Sequence, residues 1–83
     1  MKVYYFSWVR ERIGKSEETF TLPADIKTIT PFLHWLAAQS TGHKEALKDI
    51  EKLRIAVNQK YAHEDRVIKD TDEIAIFPPV TGG

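Results

Sequence analysis

Cysteine is absent from the chain. No disulfide, thiolate metal site, iron–sulfur ligand or cysteine nucleophile can be built from it. The missing disulfides fit a reducing compartment, so a cytoplasmic location is expected. Long apolar runs are absent too: a bilayer span needs about 20 consecutive apolar residues, and none approaches that length. The start, MKVYYFSWVRER, puts charge directly after a short apolar run and has no small-residue cleavage site, so no signal peptide is expected. There is no excess of either charge. Twelve Lys and Arg balance twelve Asp and Glu, which leaves no electrostatic footprint for nucleic acid. Glycine is scarce, and Gly14, Gly42, Gly82 and Gly83 form no phosphate loop.

Side-chain chemistry is equally thin. Ser7, Ser16 and Ser40 lack the glycine flanks of a nucleophile elbow. His34, His43 and His63 form no H-x-H or H-x-x-x-H pair, and in HED (His63–Asp65) adjacent side chains of an extended loop diverge, so no metal site is expected. The carboxylates of KSEE and KEALKDIEK read as solvated faces.

What is present is one domain, 1–83, with a modest apolar core. Met1–Ser7 alternates Val3 and Tyr5 against Tyr4 and Phe6, as a strand does. WVRERIG is too short for a stable helix, although Gly14 suits the cap of a turn or two. Glu18–Leu22 reads as a second strand, ended by Pro23. Thr30 as N-cap and Pro31 at the first helical position predict one long helix ending at Gly42, with Phe32, Leu33, Leu36 and Ala37 on its buried stripe. A short helix follows, with Ala46, Leu47 and Ile50 inward. RIAVN, a turn at NQK, Tyr61–Ala62 and EIAIF supply the remaining strands. About five short strands and one long helix fit a single mixed sheet covered on one face, with the last strand parallel to the first in its middle. That is an α+β, β-grasp (ubiquitin-like) fold.

The remaining reactive group is the terminal carboxylate. Pro78 and Pro79 stop the ladder and favour a stiff extended path. The flexible tail 78–83 reaches about 20 Å when extended. Gly82 and Gly83 keep it thin enough to thread a partner's channel, and they leave the Gly83 carbonyl unhindered. A carboxylate is a poor electrophile, so an ATP-dependent partner must first form a mixed anhydride with AMP.

VRERIG (Val9–Gly14), AVNQ (Ala56–Gln59) and DTDEIAIFPPVTGG (Asp70–Gly83) closely resemble the small subunit of molybdopterin synthase, a family of β-grasp sulfur carriers. The resemblance covers the whole chain and is most specific in FPPVTGG. It implies a sulfurtransferase subunit with no side-chain active site. Gly83 would be adenylated, with ATP and Mg used by an activating enzyme and no cofactor permanently bound. It would then become a thiocarboxylate and donate sulfur to precursor Z (cyclic pyranopterin monophosphate), forming the dithiolene of molybdopterin. Pro78, Pro79, Val80, Thr81 and Gly82 would insert into the large subunit, within a heterotetramer. Neither nucleic acid nor membrane is an expected partner. Carriers for thiamine or tungsten-cofactor synthesis, a ubiquitin-like protein modifier, and an interaction module with an inert tail stay open as alternatives.

Two further expectations follow. Phe6 and Phe77 fall on the sheet face opposite the helix, where Tyr61 joins them in a partner-binding patch. Thr71 stands where the family commonly has glycine, so the turn before the last strand avoids a positive φ there.

Overall fold

Six apolar side chains on the central strands define which face of the sheet is inside. A computed structural model describes residues 1–79. In it β1 (Lys2–Tyr5) runs parallel to β5 (Glu73–Phe77), with Val3 opposite Ile74 and Tyr5 opposite Ile76. β3 (Arg54–Val57) lies antiparallel on the other side of β5, with Ile55 opposite Ile76 and Val57 opposite Ile74. All six of these side chains are buried. β2 (Glu17–Thr19) and β4 (Lys60–Tyr61) are the edges, giving the order β2-β1-β5-β3-β4. Helices α1 (Ser7–Ile13), α2 (Ile29–Ala37) and α3 (Thr41–Leu47) bring Val9, Phe32, Leu36 and Leu47 into the same core. The expected α+β β-grasp is present, with its last strand in the middle.

The helices depart from the sequence reading, and for physical reasons. α2 starts two residues early, with Thr28, not Thr30, as the extended N-cap residue. A bridge between Thr28 and Val67 brings up a loop whose carbonyls satisfy the helix's free donors. Ile29 N donates to Arg66 O and Thr30 N to Glu64 O, each at 3.1 Å. Pro31 therefore sits at the third helical position, where its missing N–H is still one of the four that lack an intrahelical partner.

The expected single long helix is broken. α2 ends at Ala37, Ser40 adopts an extended conformation, and its Oγ accepts the His43 N–H to cap α3. Gly42 does not end a helix but lies inside α3. A Cβ there would meet Arg12 O at 2.7 Å, so this glycine permits the close approach of α1 and α3. That contact supports α1, which is too short to persist alone. Gly14 caps α1 as expected, at φ +89°, with its N–H donating to Arg10 O at 2.8 Å.

β2 is shorter than Glu18–Leu22 because Phe20 and Leu22 turn under the sheet edge, where Phe20 meets Trp35 edge-on at 5.3 Å. The β3–β4 hairpin turns through Asn58 and Gln59, both at positive φ. Asn58 also ties the hairpin to β5: its N donates to Glu73 O at 2.8 Å and its Nδ2 to Asp72 Oδ1 at 3.0 Å. At the turn before β5, Asp72 N donates to Lys69 O at 3.0 Å, and Thr71 avoids positive φ as expected.

Candidate functional site: the open sheet face and the root of the tail

Among the described residues no helix covers the sheet's other face, and its register places small residues between aromatic ones. Tyr61 is opposite Ala56, Ala56 opposite Ala75, and Ala75 opposite Tyr4. One step toward the tail, Phe77 is opposite Arg54. Phe6 comes up beside Phe77 because its N–H donates to Ile76 O at 3.2 Å, extending the β1–β5 pairing by one bond. The Phe6 and Phe77 rings meet edge to face at 6.5 Å, and the Tyr61 and Phe77 rings lie 6.0 Å apart. Phe6 is 48% exposed and Tyr61 75%, whereas Phe77 is half-buried between them. The structure thus brings together the three residues singled out from the sequence. Immediately after Phe6, Ser7 takes φ +56°. This is an uncommon conformation for a residue with a side chain, and it turns the chain into α1 at the corner of the patch.

Phe77 leads straight into Pro78 and Pro79, both half-buried. Pro79 borders two grooves. One lies between α2 and the β3–β4 side and includes Leu33, His34, Tyr61 and His63. The other lies between the start of α1 and a 3₁₀ turn (Ile50–Lys52), and includes Trp8, Lys52 and Arg54. Val80, Thr81, Gly82 and Gly83 lie outside the described residues. His63, Glu64 and Asp65 stand in an exposed loop.

One polar cluster was not legible in the sequence. Glu18, expected on a solvated face, points inward, and its Oε1 accepts from Tyr5 OH at 2.9 Å and from His43 Nε2 at 2.5 Å. Ser40 Oγ lies 2.7 Å from His43 Nδ1 while also capping α3. Lys15 Nζ reaches the other Glu18 oxygen at 3.6 Å. Burial pushes the Glu18 carboxyl up, but the His43 and Tyr5 hydrogen bonds and the His43 and Lys15 charges outweigh it, holding the group below its ordinary value. Burial and the Glu18 carboxylate push the Tyr5 phenol well up. Tyr5 faces the core, so this cluster is a brace between β1, β2 and α3, on the opposite side of the sheet from the patch. Its partners are far apart in sequence, and no local motif announces them.

The ThiS family matches residues 3–83. The chain belongs to the ThiS family. Among relatives of this ThiS-family chain is the molybdopterin synthase sulfur carrier subunit of Escherichia coli (strain K12), 42% identical over 83 residues, covering 100% of this chain and 99% of the relative. Among solved structures, the small archaeal modifier protein 1 of Methanosarcina acetivorans superposes with a TM-score of 0.71 at 27% identity, covering 99% of this chain and 94% of that one. A chain from the protein–protein complex of subunits 1 and 2 of molybdopterin-converting factor of Helicobacter pylori 26695 has the same fold, with a TM-score of 0.60 at 24% identity, covering 99% and 96%. The FPPVTGG ending read in the sequence and the full-length relatives agree: this ThiS-family chain is a sulfur carrier of the molybdopterin synthase type. No helix among the described residues is long and apolar enough to cross a membrane.

Proposed function

We propose that the chain carries sulfur on Gly83. The carboxylate attacks the α-phosphorus of ATP on an activating enzyme, with Mg supplied there, and releases pyrophosphate. A sulfur nucleophile then displaces AMP and leaves a thiocarboxylate. The large subunit of molybdopterin synthase receives residues 78–83 in its active site, where the thiocarboxylate sulfur attacks a carbon of precursor Z. Water then hydrolyses the resulting acyl–sulfur bond, leaving the sulfur on the pterin and returning Gly83 to a carboxylate. On this reading the chain is the sulfur-donating half of a sulfurtransferase, holds no resident cofactor, and works in a heterotetramer in the cytoplasm. Phe6, Tyr61 and Phe77 dock the large subunit and aim the tail.

The observation that carries the reading is the continuity of the patch with the tail: Phe77 is both the aromatic centre of the open face and the residue before Pro78–Pro79. Docking there fixes the tail's starting point and direction. Incubation with ATP, a sulfur donor and candidate activating enzymes, followed by intact-mass measurement, should show one oxygen-to-sulfur exchange at Gly83. One residue added after Gly83 should abolish transfer with the fold intact, because displacing a reacting group by about an ångström costs on the order of a hundredfold. Full activity of the extended chain would refute the assignment.

The likeness to a small archaeal modifier protein favours a second reading, in which the same activated terminus is passed to a lysine amine. An isopeptide-linked adduct, in place of a thiocarboxylate, would mark it.

A further inference from the structure

Charge differs between the two grooves that Pro79 borders: the α2 side holds Glu51, Glu64 and Asp65 against Lys48 and Arg54, while the α1 side is richer in cations. Lys52 and Arg54 line the groove between the start of α1 and the 3₁₀ turn, together with Trp8, Pro78 and Pro79, and Glu51 is its one acidic member. Arg12 stacks on Trp8, one of the groove's lining residues, its guanidinium 4.4 Å from the centre of the ring. Among the described residues, neither Lys52 nor Arg54 has a carboxylate within 4.0 Å. Arg54 is also the cross-strand neighbour of Phe77, and it lines the grooves on both sides of Pro79. Its Nη1 donates to the adjacent Leu53 carbonyl at 3.2 Å, which leaves most of its donors unused.

We propose that this groove seats a carboxylate side chain of the protein that covers the aromatic patch, with Arg54 as its fork and Lys52 as a second cation. This rests on the reading that a partner docks at Phe6, Tyr61 and Phe77. A planar guanidinium pairs both oxygens of a carboxylate, which an ammonium cannot do in the same geometry. Arginine beside exposed aromatic rings is the composition of protein interfaces. An opposite charge arriving at this rim speeds encounter and fixes orientation, so the aromatic patch supplies area and Arg54 sets the rotation of the partner about it. That rotation decides which way residues 78–83 leave.

The test is a titration of the molybdopterin synthase large subunit with full-length Arg54→Lys, Arg54→Gln, Arg54→Glu and Lys52→Glu variants across a salt series. Phe77→Ala runs in parallel, and urea melts check folding. Arg54→Glu should weaken binding at least tenfold at low salt, with the gap narrowing as salt rises. Arg54→Lys should fall between it and the unmodified chain. The exposed side chain should leave the urea midpoint unchanged, and if reversal does disturb folding, the Lys and Gln variants still decide the question. Unaltered affinity and salt dependence in the Arg54 variants would overturn the inference. If Phe77→Ala alone weakens binding, the seat is wrong and the patch stands. If neither change matters, both fall.

Discussion

Replacing Phe77 by alanine separates the two faces of the sheet in one experiment, provided Ile76→Ala is measured beside it. The two residues are adjacent on β5 and point opposite ways. Ile76 is fully buried, between Tyr5 on one neighbouring strand and Ile55 on the other. Truncating it leaves a cavity that the central strand cannot collapse, which places the loss within the range of about 2–5 kcal/mol for such residues. Phe77 is half-buried, and its ring contacts are with Phe6 at 6.5 Å and Tyr61 at 6.0 Å. Each aromatic pair is worth about 0.5–1.5 kcal/mol beyond its buried area. Both pairs stand at the surface, so the folding cost should be about 1–2 kcal/mol. Binding to the large subunit should show the reverse ranking. A central aromatic anchor costs about 2 kcal/mol or more on truncation, which is about a thirtyfold rise in Kd. Urea melts give the first quantity and titration calorimetry the second. If Phe77→Ala unfolds the domain as badly as Ile76→Ala, or binds the large subunit undiminished, the open face is not the docking surface.

The remaining predictions concern the brace and the helix contact. The Glu18 carboxyl is held below its ordinary value, so its contribution is fully present above pH 4.5 and disappears as pH falls through the depressed folded value. Glu18→Gln should therefore flatten the acid limb of stability measured by urea melts from pH 7 to 3, and an unchanged limb would exclude the brace as its source. At the alkaline end the Tyr5 phenol is raised from 10.0, so its contribution holds below that pH and is lost above it. Tyr5→Phe should remove that alkaline slope. Gly42→Ala replaces the better helix former's absence with a clash against the Arg12 carbonyl at 2.7 Å. Despite alanine's intrinsic gain of about 1 kcal/mol in a helix, the variant should melt lower; a higher melting temperature would show that α1 moves aside freely.

Period-two alternation made β1 and β5 legible, because both strands are half-covered and every second side chain must be apolar. The patch followed from the same pattern: if Ile74 and Ile76 face in, Phe77 faces out. What failed to show were features set by distant parts of the chain. Thr30–Pro31 is a sound local start signal, yet the carbonyls of Glu64 and Arg66 move the start of α2 to Ile29. Gly42 looks like a stop because a sequence does not distinguish a glycine needed for its backbone freedom from one needed for its missing Cβ. Glu18 in KSEE looks solvated until His43, 25 residues later, is folded against it. The reading of the tail as a thin, extended acyl carrier rests on backbone and proline properties that need no tertiary context, and its last four residues lie outside the described residues.

The pairing of β1 with β5 has a consequence for how the carrier is made. β1 leaves the ribosome well before β5, and it finds its central neighbour only once Glu73–Phe77 has followed. Contacts of such long sequence separation slow folding, and they also make it conditional. A product truncated before Glu73 lacks the middle of its sheet, and Val3, Tyr5, Ile55 and Val57 have nothing to close against. Such fragments are left to proteolysis. The strand that completes the fold is also the one that carries Phe77, so the aromatic centre of the open face is present whenever the sheet can close.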